Sequence, residues 1–106
     1  MIPSNIEPAQ LNSMSPNTLV ENLGIEFTEV GEDYLVAKMP VDSRTHQPLG
    51  LLHGGANAAL AETIGSVGTY IMLDTEVQSA VGLEINANHV GSAKSGYVYG
   101  RGEIVH

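Results

Sequence analysis

Apolar and polar positions alternate from Ile25 to Val30 and again from Tyr34 to Met39, with Gly31-Glu32-Asp33 between the two runs and Pro40 closing the second. Alternation with a period of two around a turn-like triplet predicts a hairpin of two half-buried strands. Upstream, Pro3, Pro8 and Pro16 interrupt any pattern, but Ser15-Pro16 suits a helix start and Gly24 a helix stop. A short helix over 16–24 is expected there. Downstream, residues 41–52 carry Pro, Gly, Asp and Ser and read as a loop.

From Gly54 to about Leu73 the period changes, with Leu60, Ile64, Val67, Ile71 and Met72 recurring near a helical spacing in an Ala-rich stretch. A helix of that length is a rod of roughly 30 Å. Ala56, Ala58, Ala59, Ala61, Gly65, Ser66 and Gly68 fill most of its remaining surface, which predicts a helix buried on all sides. Gly65 and Gly68 each cost about 1 kcal/mol relative to Ala, so they imply the close approach of another backbone. After a turn at 74–76, alternation returns in two longer strands, 80–90 and 96–105, joined through a turn at 91–95. Val81, Leu83, Ile85, Ala87 and His89 share one face of the first, and Val98, Gly100, Gly102 and Ile104 one face of the second.

The predicted order of hairpin, long buried helix, strand and strand is an α+β arrangement, with 1–106 as a single domain. Four strands cover a buried helix poorly, so the expectation is either cover from a partner chain or a domain shortened at its C-terminal end.

Composition agrees with one hydrophobic core, since 42% of the 106 residues are hydrophobic and 15% charged. Twelve acidic against four basic side chains give a formal net charge of -8, which opposes binding to nucleic-acid phosphates or an anionic lipid surface. Only Lys38, Arg44, Lys94 and Arg101 are available to meet the phosphates of an anionic ligand, unless subunits pool them. The absence of cysteine excludes disulfides, thiolate metal sites and a cysteine nucleophile from the chain. The N-terminal stretch lacks the basic start and apolar run of a secretory signal. The apolar segment from Leu51 to Leu73 is broken by His53, two glycines and Glu62, so no membrane span is expected and the cytoplasm is the default compartment.

Candidate chemistry gathers where the loop meets the long helix. Two glycines, Gly54 and Gly55, open that helix and expose backbone N–H groups to any developing negative charge. Glu62 follows about two turns later among alanines. A glutamate on a helix ordinarily reaches solvent or pairs with a base such as Arg44, but a carboxylate in small, apolar surroundings is costly unless it is paired or has a task. His53 admits two readings, a helix-entry residue bonded to backbone or a group that touches substrate. His46, His89 and His106 show no zinc-like spacing with acidic residues, and neither a metal nor a redox cofactor is expected.

The segment QPLGLLHGGANAALAETIGS followed by VGLEINANHV resembles the PaaI-type branch of the hotdog-fold thioesterase superfamily. It is most similar to bacterial 1,4-dihydroxy-2-naphthoyl-CoA and related aromatic acyl-CoA thioesterases, over about Leu23 to Arg101. The resemblance implies a hotdog fold, a long central helix wrapped by an antiparallel sheet, here lacking the last strands. It implies a homo-oligomer, dimer or tetramer, with active sites at the subunit interface. By position, Glu62 is the implied catalytic carboxylate, as nucleophile or general base, while Gln47 and His53 reach the site from the other subunit. The Gly55 N–H would polarise the thioester carbonyl beside Gly54. Thr63 and Ser66 would border the acyl pocket, with Asn88 and His89 also on the substrate side. The substrate is an acyl-CoA, so coenzyme A is not a separate cofactor. Two departures stand out: the family continues with further strands, and close relatives often carry a base where this chain has Gly91. The alternatives are a hotdog hydratase acting on CoA or acyl-carrier-protein substrates, and a non-catalytic module that keeps the assembly interface.

Overall fold

The computed structural model describes residues 2–76, 82–92 and 94–105, with the backbone path alone for 72–76, 82–84, 86–91 and 105. Its first element, α1 (Pro8–Asn12), was not expected, because Pro8 reads as a breaker. Pro8 instead occupies the first helical turn, where a missing N–H costs nothing, behind a reciprocal cap in which the Glu7 N–H donates to Gln10 Oε1 at 2.6 Å. The next helix, α2 (Leu19–Leu23), starts later than the proline implied. Asn17 has a left-handed φ of 65°, which separates Pro16 from the helix and leaves Thr18 as the extended residue before its first turn. Gly24 ends it as expected, at φ 75°.

Strands β1 (Glu26–Val30) and β2 (Tyr34–Pro40) form the predicted antiparallel hairpin, with a register shift between Phe27 and Glu29. Asn12 pins α1 to this edge: its side chain donates to the Phe27 carbonyl at 3.0 Å and accepts from the Phe27 N–H at 2.7 Å. In β2 the alternation is literal, with Leu35, Ala37 and Met39 buried and Tyr34, Val36 and Lys38 half-buried.

The long helix α3 runs Gly54–Glu76. It passes through the turn expected at 74–76, since Asp74-Thr75-Glu76 contains neither glycine nor proline to stop it. Strands β3 (Gly82–Ser92) and β4 (Ser95–Val105) follow. Their pairing continues to Ser92↔Ser95, so the connecting turn is tighter than 91–95. Ala80, Val81 and His106 lie outside the described residues.

The four strands make one antiparallel sheet in the order β1-β2-β4-β3, and α3 lies across one face. Leu60 and Ile64 of α3 are buried against Leu35, Ala37, Met39, Val98 and Ile104. Fully burying one such side chain is worth about 1.5–3 kcal/mol. The close fit comes from β4, where a β-carbon on Gly100 would stand 2.5 Å from Ile64 Cδ1. At Gly65 the neighbour among the described residues is not a backbone but a side chain, Ile85, whose Cδ1 would lie 3.4 Å from an added β-carbon.

The helix is not buried on all sides. Gly54, Gly55, Ala58, Glu62, Ser66, Thr69 and Tyr70 form an exposed stripe, with Tyr70 63% accessible. A single sheet covers only the side of the rod that faces it. Of the small residues that suggested burial, Ala56 and Gly68 are buried and Ala59, Ala61 and Gly65 half-buried, while Ala58 and Ser66 lie on the uncovered stripe. No helix among the described residues is long and apolar enough to cross a membrane.

Candidate functional site

The loop that feeds α3 is built from its own hydrogen bonds. Buried Thr45 donates its hydroxyl to the Pro40 carbonyl at 2.7 Å, and its own carbonyl accepts from the His53 N–H at 2.7 Å. His46 and Leu52 form a β-bridge, and the Gln47 N–H donates to the Leu51 carbonyl at 2.7 Å. Gly50, at φ 80°, makes the tight reversal between them, a conformation that L side chains rarely adopt. Gln47 stabilises the reversal further, its Oε1 accepting the N–H groups of Leu49 and Leu51. Such use of Oε1 leaves the Gln47 NH2 as the polar group available to another molecule.

His53 caps the helix. Its carbonyl accepts the first helical bond, from the Asn57 N–H at 3.1 Å, and its Nδ1 accepts from the Gly55 N–H at 2.7 Å. An accepting Nδ1 is an unprotonated one. The structure thus realises the backbone-bonded reading of His53, and the same bond engages the amide singled out as an oxyanion donor. His53, Gly54 and Gly55 are all exposed, so the ring can turn aside without displacing core atoms.

Glu62 lies on the exposed stripe of α3, not in the apolar surroundings expected of it. It borders an open cleft of about 460 Å³ lined by Ala61, Glu62, Gly65, Ser66, Thr69 and Ile85. The Ser66 hydroxyl donates to Glu62 Oε1 at 3.2 Å. Ile85 projects from β3 as the apolar wall; the sequence placed it on the apolar face of that strand but gave no sign of its part in a cleft. Glu62 lies seven positions after Gly55, about 10 Å along the axis, so the helix start and the cleft are distinct places within one chain.

The predicted residues therefore fall into two groups. Gln47, His53, Gly54 and Gly55 surround the helix start, while Glu62 and Ser66 share the cleft. Thr63 turns into the core, 8% exposed, with its hydroxyl bonded to the Ala59 carbonyl at 2.7 Å. Asn88 and His89 pair with Tyr99 and Val98 in the β3–β4 ladder, and their side chains lie outside the described residues. Asn57, which the sequence did not single out, carries a buried Oδ1 with no partner among the described residues.

The basic residues do not converge on the cleft. Arg44 pairs with Asp42 at 2.7 Å, Arg101 lies 3.7 Å from Glu103 and over the Tyr34 ring, and Lys38 sits over Tyr97. The Arg44 side chain holds the Asp42 carboxyl below the usual carboxylate range, and a hydrogen bond with Glu29 raises the Tyr34 phenol. Neither group lines the cleft. No set of three His, Cys, Asp or Glu side chains suited to a metal ion occurs among the described residues.

Comparison with known proteins is consistent across sequence and structure. Residues 49–106 match the family model of the thioesterase superfamily. The chain is 54% identical over 96 residues to the proofreading thioesterase EntH of Cronobacter turicensis, covering 91% of this chain and 69% of that protein. It is 48% identical over 97 residues to the putative esterase PA1618 of Pseudomonas aeruginosa, covering 92% and 67%. A crystal structure of a mutant of thioesterase PA1618 superposes with a TM-score of 0.78 at 41% identity, over 99% of this chain and 76% of that one. The antiparallel sheet with its single long helix is the hotdog fold that these relatives share.

Proposed function

The chain belongs to the thioesterase superfamily and is a hydrolase of that class, and we propose that its substrate is an acyl-CoA with an aromatic acyl group, cleaved to the free acid and coenzyme A. The observation that carries this reading is the position of Glu62: a carboxylate on the uncovered stripe of α3, at the edge of a cleft walled by Ala61, Gly65 and Ile85. Those small and branched side chains suit a flat ring lying along the helix, as in 1,4-dihydroxy-2-naphthoyl-CoA. The kinship with a proofreading thioesterase and a putative esterase favours hydrolysis over hydration of the acyl chain.

Two routes satisfy the chemistry. Glu62 attacks the thioester carbonyl, expelling the CoA thiolate and leaving an acyl anhydride that water then hydrolyses, or it takes a proton from a water molecule that attacks directly. Either route builds negative charge on the carbonyl oxygen. The Gly55 N–H, at the positive end of α3, would receive that charge once the His53 ring swings away from it.

The two groups of site residues lie apart in one chain, which supports a homo-oligomer, dimer or tetramer. Gln47 and His53 of one copy would then meet Glu62 of another, and the uncovered stripe would become the floor of a shared site. An assembly of this kind also pools basic side chains toward the CoA phosphates.

The test is release of thiol from benzoyl-CoA by the chain and by its Glu62→Gln variant, with both folds checked by circular dichroism. Turnover that falls at least about a hundredfold in the variant is the expected result. Equal turnover in the two proteins refutes the role of Glu62, and a folded parent without turnover refutes the substrate class.

A further inference from the structure

Residues 46–52 form a small reversal whose hydrogen bonds close on themselves. The Gln47 N–H donates to the Leu51 carbonyl at 2.7 Å, the Gly50 N–H donates to the Gln47 carbonyl at 2.9 Å, and Gln47 Oε1 accepts from Leu49 and Leu51. These bonds fix the shape of the reversal but not its place on the sheet. Its tip is no anchor, since Leu49 is 80% accessible. Leu52 packs against the core, which supplies burial without direction.

The directional tie comes from the side chain next to Gln47. His46 Nε2 lies 2.9 Å from the Lys94 carbonyl, in the turn between β3 and β4. A carbonyl only accepts, so the ring carries a proton on Nε2 and donates it. Among the described residues, this is the one hydrogen bond that runs from 46–52 to the rest of the fold. The turn that receives it is itself restrained, by the Ser92↔Ser95 pair and by the Lys94 N–H, which donates to Ser92 Oγ at 3.1 Å.

We propose that His46 is a positioning residue for the reaction, clamping the reversal to the β3–β4 turn so that the Gln47 NH2 is presented at a fixed place. The inference rests on the reading in which Gln47 of one copy meets Glu62 of another. His53 has a separate tie, through its N–H to the Thr45 carbonyl, so the clamp acts on Gln47. A polar group displaced by about 1 Å can cost a hundredfold in rate while substrate still binds.

The test compares kcat and KM for benzoyl-CoA in the parent, His46→Ala, His46→Gln, Gln47→Ala and the double variant His46→Ala/Gln47→Ala. Glutamine carries its Nε2 as many bonds from the α-carbon as histidine does, so it keeps a donor for the Lys94 carbonyl. The expected result is a loss of about ten- to a hundredfold in kcat for His46→Ala, with KM within about twofold, and recovery to within about threefold of the parent in His46→Gln. In the Gln47→Ala background, His46→Ala should change kcat by less than about twofold, because the group it positions is already gone.

Unchanged kcat in His46→Ala, failure of His46→Gln to recover it, or an undiminished effect in the Gln47→Ala background overturns the positioning role. Loss of the fold in His46→Ala, read by circular dichroism, overturns it as well, since His46 would then hold the domain and not Gln47 alone. Each of these leaves the account of Gln47 standing. Full turnover in Gln47→Ala, or none in the parent, refutes that account and the inference with it.

Discussion

A β-carbon on Gly102 would stand 2.6 Å from Cγ2 of Ile64, so helix α3 and strand β4 meet at a separation that only glycine permits. Cγ2 is fixed to the β-carbon of a branched residue whose χ1 is stiff in a helix, and Ile64 is fully buried. Gly102→Ala should therefore destabilise the chain by about 1–3 kcal/mol despite alanine's smaller entropic cost. Trimming Ile64 to alanine in the same protein should make the loss smaller than the sum of the single changes, read from urea midpoints. Additive losses would mean that the two residues do not press on one another.

Asn12 serves as a one-residue strand for Phe27, bonding both its N–H and its carbonyl. Asn12→Ala leaves both backbone groups without protein partners at the edge of β1. A loss of about 1–3 kcal/mol is expected, together with faster hydrogen exchange at the Phe27 amide. Asn12→Asp keeps the acceptor and forfeits the donor, and should fall between the two.

His53 combines a cap with a place beside the reaction, and the two contributions can be separated. His53→Ala should cost about 0.5–2 kcal/mol, the usual value of an N-cap. His53→Asn restores a capping oxygen, so stability should return to near the parent's. Turnover of benzoyl-CoA should stay depressed in both variants. Full activity in His53→Asn would reduce the residue to a cap.

The Asp42–Arg44 pair gives a pH signature. Arg44 lowers the Asp42 pKa in the folded chain, so the pair's contribution is present at pH above the ordinary carboxylate range and is lost as pH falls through the lowered folded value. The difference in urea midpoint between the parent and Asp42→Asn should be constant near neutrality and shrink in acid. It should be small throughout, because both partners face solvent. A difference that grows in acid would contradict the pairing.

Much of this architecture was legible in residue patterns because burial on a sheet is local and periodic. The alternation from Tyr34 to Met39 and the grouping of Val98, Gly100, Gly102 and Ile104 on one face match the buried faces of β2 and β4. Gly24 marked the end of α2 for the same kind of reason, a conformation that one residue must adopt. The exposure of Glu62 was not legible, since small residues along a helix are equally compatible with a covering sheet and with an open stripe. The bond from Gly55 to His53 depends on how one ring is turned, and the early helix at Pro8 on a cap formed by Glu7 and Gln10. Both are choices between local partners, on which hydrophobic pattern is silent.

The central claim, that Glu62 of one copy acts with Gln47 of another on a thioester, is tested most directly by mixing two damaged chains. Glu62→Gln and Gln47→Ala are each assayed for thiol release from benzoyl-CoA, then unfolded together in equal amounts and refolded. With random pairing about half of the dimers are mixed, and each mixed dimer contains one intact site of two, so roughly a quarter of the parent activity should return. Activity no greater than the mean of the two separate variants would place both residues in the same chain's site and contradict the account.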